Sequence, residues 1–116
     1  MITIRRIEPH EVSTAKDLIY RVAHRVFNDA RPLEESVAFY ESKGTLDDMD
    51  NIPQTYYESD GTFLVMTDED RIIGTGAIRK LDDTICELKR VWLLFEYHGR
   101  GLGYNMIQEL FAFARE

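Results

Sequence analysis

Gly99, Gly101 and Gly103 occupy alternate positions in the stretch LKRVWLLFEYHGRGLGYNM, Leu88 to Met106, where an apolar run hands over to a helical pattern. Glycine lacks a Cβ, so it takes positive φ freely and lets a backbone come close to a ligand. Ahead of a helix, such residues expose backbone N–H groups beside the positive end of the helix dipole, which makes an anion site suited to phosphate. A tight strand-to-helix turn with no ligand uses the same residues. Spacing excludes two phosphate motifs. A P-loop requires GxxxxGK followed by Ser or Thr, and no lysine follows these glycines. A dinucleotide fingerprint is GxGxxG early in a βαβ unit, whereas this chain has GxGxG late, after several strand-like runs.

The elements that must position the glycines follow from periodicity. Ile2, Ile4 and Ile7 mark a first strand that ends before Pro9. Val12, Ala15, Leu18, Ile19, Val22, Ala23, Val26 and Phe27 then recur at helical spacing and predict one stripe facing a core. A second, weaker helix is predicted from about Leu33 to Lys43, after Pro32 and closing at Gly44. The stretch TLDDMDNIPQTYYESDG reads as an acidic loop broken by Pro53 and Gly61. TFLVM, RIIGTGAIR and ICELKRVWLLF are three strands joined by the short polar turns TDED and KLDD, as antiparallel hairpins require. Parts of these strands are apolar on both faces, so helices must cover the sheet on both sides. From Leu102, the residues Met106, Ile107, Leu110, Phe113 and Ala114 form a last helical stripe. The expectation is a single α/β domain of the α+β kind over residues 1–116, with a mostly antiparallel sheet in the order β-α-α-β-β-β-α.

Composition narrows the function classes. A formal charge of −7 argues against nucleic-acid binding, which depends on a basic footprint. Cys86 is the single cysteine, so an intrachain disulfide or a cysteine-cluster metal site is excluded, and His10, His24 and His98 show no metal-ligand spacing. The start MITIRRIEPHE lacks the apolar core of a signal peptide, and the runs VWLLF and LFAFA are far too short to span a bilayer. A cytoplasmic protein that engages neither membrane nor nucleic acid is expected.

The glycines and strands together resemble the GNAT superfamily of N-acetyltransferases. Its acetyl-CoA signature, Q/R-x-x-G-x-G/A, lies between the fourth strand and the third helix. HGRGLG, His98 to Gly103, is similar to it, with Gly101 and Gly103 on the two glycine positions. ELKRVWLLFEY resembles the family's fourth strand, and GTFLVMTDEDRIIGTGAIR its second and third. The likeness covers essentially the whole chain in the right order. His98 stands where Gln or Arg is usual, and Phe95 where a proline is frequent.

The resemblance implies acetyl-CoA as cosubstrate and a primary amine, on a small molecule or a peptide, as acceptor. It places the backbone of His98, Gly99, Arg100, Gly101, Leu102, Gly103 and Tyr104 around the pyrophosphate, with Arg100 adding local positive charge. The backbone of Val91, Trp92 and Leu93 would pair with the pantetheine arm. Glu87 to Leu94 spans roughly 23 Å at about 3.3 Å per residue, so one strand tracks a long thin ligand. By the same resemblance Glu87 is the general base, and burial among apolar neighbours would help it by raising its pKa. An exposed strand carboxylate paired with Lys89 or Arg90 is the alternative. A strand amide near Leu93 would serve the thioester oxygen. The family's usual acid is a tyrosine beyond the third helix, a position that Tyr104 does not match. Tyr56, Tyr57, Glu34, Glu35, Asp47 and Asp48 fall where acceptor sites often form, or else in a solvated loop. The chain ends before the family's fifth strand, so the C-terminal strands of the fold are expected to be missing. The open edge of the fourth strand is then expected to be covered by a second copy in a homodimer. A CoA-binding remnant without turnover, and a dimerising interaction module, remain as alternatives.

Overall fold

The computed structural model describes residues 1–115. Four strands form one antiparallel sheet in sequence order: β1 (Ile2–Arg6), β2 (Thr62–Asp68), β3 (Arg71–Lys80) and β4 (Cys86–Leu93). Between β1 and β2 lie helices α1 (Val12–Val26), α2 (Leu33–Ser42) and the single turn α3 (Ile52–Thr55), and α4 (Leu102–Ala114) follows β4. The hairpin turns are short and polar, as the sequence predicts. In the second, Asp82 Oδ1 accepts from the amides of Thr84 and Ile85 and from the Thr84 hydroxyl, a side-chain turn that reverses the chain.

Side-chain alternation along the strands builds two cores, one on each face. On the first face Phe63, Val65 and Ala77 pack against Ala15, Leu18, Ile19 and Val22 of α1 and against Leu46, Met49, Ile52 and Tyr56. The Tyr56 and Phe63 rings meet edge to face at 5.5 Å. Tyr20 of α1 stacks on Tyr40 of α2. Its hydroxyl is buried without a partner among the described residues, and burial, with Glu41 and Asp47 near, pushes its pKa up to about 12. On the second face Met66, Ile73 and Ile78 meet Met106 and Leu110 of α4. Gly76 permits that approach: a Cβ there would stand 2.7 Å from Met106 Cγ. The close fit sets α4 directly against β3, and so fixes where its N-terminus opens.

Two expectations differ from the structure. The segment expected to be an acidic loop carries three short helical turns, at Asp47–Asn51, Ile52–Thr55 and Tyr57–Ser59, pinned by buried Leu46, Met49, Ile52 and Tyr56. Spacings of three and four between those residues are a helical signal hidden by the acids around them. The α1 stripe also ends early, because Val26 and Phe27 are exposed rather than in the core. The Phe27 ring stands nearly perpendicular to that of Trp92 of β4, with centroids 6.2 Å apart.

Strand β4 is irregular. Ala77 pairs with Lys89 but Thr75 pairs with Trp92, so Arg90 and Val91 together stand opposite Gly76. This is a β-bulge, and Arg90 takes a left-handed φ of 57° within it.

Candidate functional site: the end of β4 and the glycine loop

Beyond the bulge, the last residues of β4, the glycine loop, α1 and α4 enclose a cavity of about 480 Å³. Val91, Trp92, Leu93, His98, Gly99 and Gly103, six of the residues picked out by resemblance, line it. Val22 and Val26 close one side and Met66 and Met106 the other, so the walls are mostly apolar. Sequence reasoning missed these four because each carries an ordinary core periodicity. No sequence signal sets Val26 apart from that stripe; only the structure shows it exposed at the end of α1, beside the cavity.

The loop has the backbone that the glycine spacing requires. Gly99 and Gly101 hold φ values of 83° and 76°, in the left-handed region that disfavours any residue with a Cβ. Gly101 is the N-cap of α4, with no side chain capping the helix. The first amides of a helix have no intrahelical acceptor, so those of Leu102, Gly103 and Tyr104 are open to an external one. A Cβ added at Gly99, Gly101 or Gly103 would meet nothing within 4 Å among the described residues. Packing therefore does not demand glycine at these positions, whereas a ligand lying on the loop would. Gly103 differs from the other two: it sits in the first turn of α4 without a positive φ.

The side chains around the loop are tied down. His98 donates from Nε2 to the Leu93 carbonyl at 2.7 Å, which fixes its tautomer, and its ring leans on Phe95 at 4.9 Å. The Arg25 guanidinium covers the other ring system at 3.9 Å from the Phe95 centroid. Arg100 lies over Tyr97 at 5.1 Å, and the Tyr97 hydroxyl donates to Asp68, whose acceptance of that bond raises the tyrosine pKa. Two guanidinium groups thus flank the glycine loop of an otherwise acidic protein. Arg100, Gly101, Leu102 and Tyr104 do not line the cavity; Tyr104 and Arg100 point to solvent and Leu102 packs on the second core.

Glu87 lies before the bulge, at the other end of β4, and does not line this cavity. Its register partner is Arg79 of β3, whose Nε donates to Glu87 Oε1 at 2.9 Å. The Glu87 side chain is 38% exposed, not buried among apolar neighbours as expected, and its partner is neither Lys89 nor Arg90. Arg90 instead reaches Asp48, through Nε to Oδ2 at 3.1 Å and Nη2 to Oδ1 at 2.6 Å. Tyr56 donates its hydroxyl to the same carboxylate. Burial raises the Asp48 pKa, but Arg90 and Tyr56 outweigh it and hold the group below the usual carboxylate value. The same burial, with Asp48 as neighbour, pushes the Tyr56 phenol well up. Tyr56 and Asp48 therefore satisfy each other, and Tyr57 lies beneath the Arg6 guanidinium at 3.5 Å.

Elsewhere, Glu8, His10 and Glu11 bring possible metal-ligand atoms within 4.8 Å of one another. Both Glu11 oxygens are already engaged by Arg5, however. Among the described residues no helix is long and apolar enough to cross a membrane.

Comparison with known proteins agrees with this geometry. Residues 20–116 match the family described as the acetyltransferase (GNAT) family. The chain superposes on a GNAT-family acetyltransferase from Staphylococcus aureus with a TM-score of 0.77 at 18% identity, covering 99% of this chain and 66% of that one. An acetyltransferase from Streptococcus agalactiae gives 0.76 at 22% identity, covering 98% and 66%. The PaiA N-acetyltransferase from Thermoplasma acidophilum, solved with coenzyme A, gives 0.77 at 18% identity, covering 99% and 72%. The chain thus spans just under two thirds of the length of the first two structures. No curated protein matches the sequence. A four-stranded antiparallel sheet, a bulged last strand and a glycine-capped helix, together with a family match over most of the sequence, establish that the chain belongs to the GNAT family of acetyltransferases.

Proposed function

We propose that this chain binds acetyl-CoA along the end of β4 and the glycine loop, in the cytoplasm, and transfers the acetyl group to a primary amine. The observation that carries the reading is the loop itself: left-handed glycines, uncapped α4 amides and empty space over all three glycines, beside an apolar cavity. Amides of residues 98–104 would hold the pyrophosphate, and Arg100 adds charge at close range. The backbone of Val91, Trp92 and Leu93 would align the pantetheine arm. Acetyl-CoA supplies an activated acyl group as a thioester. A β4 amide near Leu93 would donate to the thioester oxygen as it gains negative charge.

The acceptor amine must lose a proton before it forms the new C–N bond, and the departing sulfur must gain one. Glu87 is the base on this reading. It stands outside the cavity, so Oε2, left free by Arg79, would take the amine proton through intervening waters and not directly. An acidic chain suits a cationic amine, on a small molecule or a peptide, as acceptor. The apolar residues toward the end of β4 lie along an edge that carries no neighbouring strand among the described residues. We assign the part of that edge left free by the pantetheine arm to a second copy of the chain; a monomer in light scattering at micromolar concentration would remove this assignment.

Calorimetry with CoA tests the donor site directly: saturable binding is expected, and no heat at millimolar CoA refutes the reading. Amine-dependent release of free thiol from acetyl-CoA then tests turnover. Glu87→Gln is expected to lower kcat by about a hundredfold while CoA affinity stays within threefold, since general bases contribute roughly 10²–10⁴-fold. Undiminished turnover would remove Glu87 from the mechanism.

A further inference from the structure

Arg90 is a residue with a Cβ in a backbone region that strongly prefers glycine. Such a conformation persists only where its surroundings over-determine it, and here they do so from both sides of the strand. On the β3 side, the Thr75 hydroxyl donates to the Arg90 carbonyl at 2.7 Å. On the helical side, the guanidinium is gripped twice by Asp48 and once more by the Thr45 carbonyl at 2.9 Å. Tyr56, fully buried, fixes the Asp48 carboxylate in turn. Thr45, Asp48 and Tyr56 all belong to the segment between α2 and β2, 34 to 45 residues before Arg90. Thr75, at the other end of the arrangement, is itself a lining residue of the cavity, and so is Val91, the second residue of the bulge. The chain of contacts therefore runs from Tyr56 through Asp48 and Arg90 to the wall of the donor slot.

We propose that Asp48, oriented by Tyr56, is a positioning residue that acts through Arg90: it holds the β4 bulge in its left-handed form and so sets the line of Val91, Trp92 and Leu93 along the slot. This rests on the donor site assigned above. The bulge adds one residue to β4, and every side chain beyond it changes face relative to an unbulged strand. Without the grip on its side chain, Arg90 would relax toward an extended conformation, and the residues lining the slot would shift with it. Lys89 and Arg79 lie on the same face as the clamp: the Lys89 charge helps to keep Asp48 ionised, and the Arg79 charge acts on Tyr56.

The test separates backbone positioning from simple loss of an ion pair. Arg90→Ala and Arg90→Gly both delete the guanidinium and leave Asp48 equally unpaired, but only glycine takes positive φ without strain. CoA affinity by calorimetry is expected to fall about tenfold in Arg90→Ala and in Asp48→Asn, and to stay within threefold of wild type in Arg90→Gly. Equal affinities in the Ala and Gly variants would overturn the proposal. Amide hydrogen exchange on the ligand-free proteins gives an arm that needs no CoA. Exchange across residues 88–93 should rise at least tenfold in Asp48→Asn, with α4 unchanged; unchanged exchange across 88–93 would overturn the proposal too. Wild-type protein that fails to bind CoA would refute the donor site, and the exchange comparison alone would then decide whether Asp48 holds the bulge.

Discussion

Both edges of the sheet carry an arginine that grips a carboxylate with two nitrogens, and the two pairs have little else in common. On β1, Arg5 donates from Nη1 and Nη2 to Glu11, at 2.8 and 2.7 Å, only six residues along the chain. On β4, Arg90 reaches Asp48 across 42 residues. The Arg5 and Glu11 side chains are 42% and 11% exposed; those of Arg90 and Asp48 are 18% and 12% exposed. Arg5 sits in a regular strand, paired residue for residue with β2, whereas Arg90 sits at a bulge with positive φ. Equal chemistry at unequal depth does different work. The first pair joins a strand to the helical turn that follows it, and the second joins two distant segments at the wall of a cavity.

The sharpest way to break the comparison is to remove each carboxylate. Asp48→Ala leaves a mostly buried guanidinium with only the Thr45 carbonyl, and leaves the Tyr56 hydroxyl without its acceptor. Breaking one partner of a buried pair costs about 3–5 kcal/mol, measured as the loss in unfolding free energy by urea denaturation. A cost below about 1 kcal/mol would show that the β4 pair is no more deeply coupled than the β1 pair.

A smaller effect should appear with acid. Asp48 and Glu11 both titrate below their ordinary values: Glu11 falls to about 2, chiefly through its bonds from Arg5, and Asp48 is lowered because Arg90 and Tyr56 outweigh burial. A depressed carboxylate contributes stability that is complete above its unfolded value, about 4, and lost as pH falls through its folded one. Unfolding midpoints should therefore decline as pH drops from about 4 toward 2. Each of Asp48→Asn and Glu11→Gln should flatten part of that decline. An acid response identical to wild type in both variants would mean that neither pair governs it.

Much of this arrangement could be read from the residues, for reasons that differ by element. Glycine and proline punctuation together with period-two alternation placed β2, β3 and β4 in a meander, because hairpins are local. The GxGxG spacing pointed to an anion loop because positive φ is a local demand, and Gly99 and Gly101 meet it. Arg90 was legible only as a charged residue near Glu87. Its left-handed φ comes from an extra residue in β4 relative to β3, and register between strands is not a property of either strand alone. Its partner Asp48 lay in a segment whose acids masked the spacing of Leu46, Met49, Ile52 and Tyr56. The same non-locality hid the Glu87–Arg79 pair, since cross-strand partners follow from register and not from sequence proximity.

The smallest expected effect is also the one that sharpens the comparison most. Arg5→Ala removes both bonds to Glu11, yet Glu11 still accepts from the Glu8 amide at 2.9 Å and keeps the turn before α1 capped. The lost partner is substantially exposed, and such pairs contribute about 0–1 kcal/mol. The cost by urea denaturation should lie in that range and shrink further at high salt, where the Debye length contracts from about 10 Å at 0.1 M to about 3 Å at 1 M. CoA affinity should stay at the wild-type value, because no residue of β1 lines the cavity. Should Arg5→Ala instead destabilise the fold as much as Asp48→Ala, depth would not be what separates the two pairs. The bidentate geometry they share would then set the energy, and the left-handed φ at Arg90 would be the only distinction left to explain why one edge of this sheet carries a site.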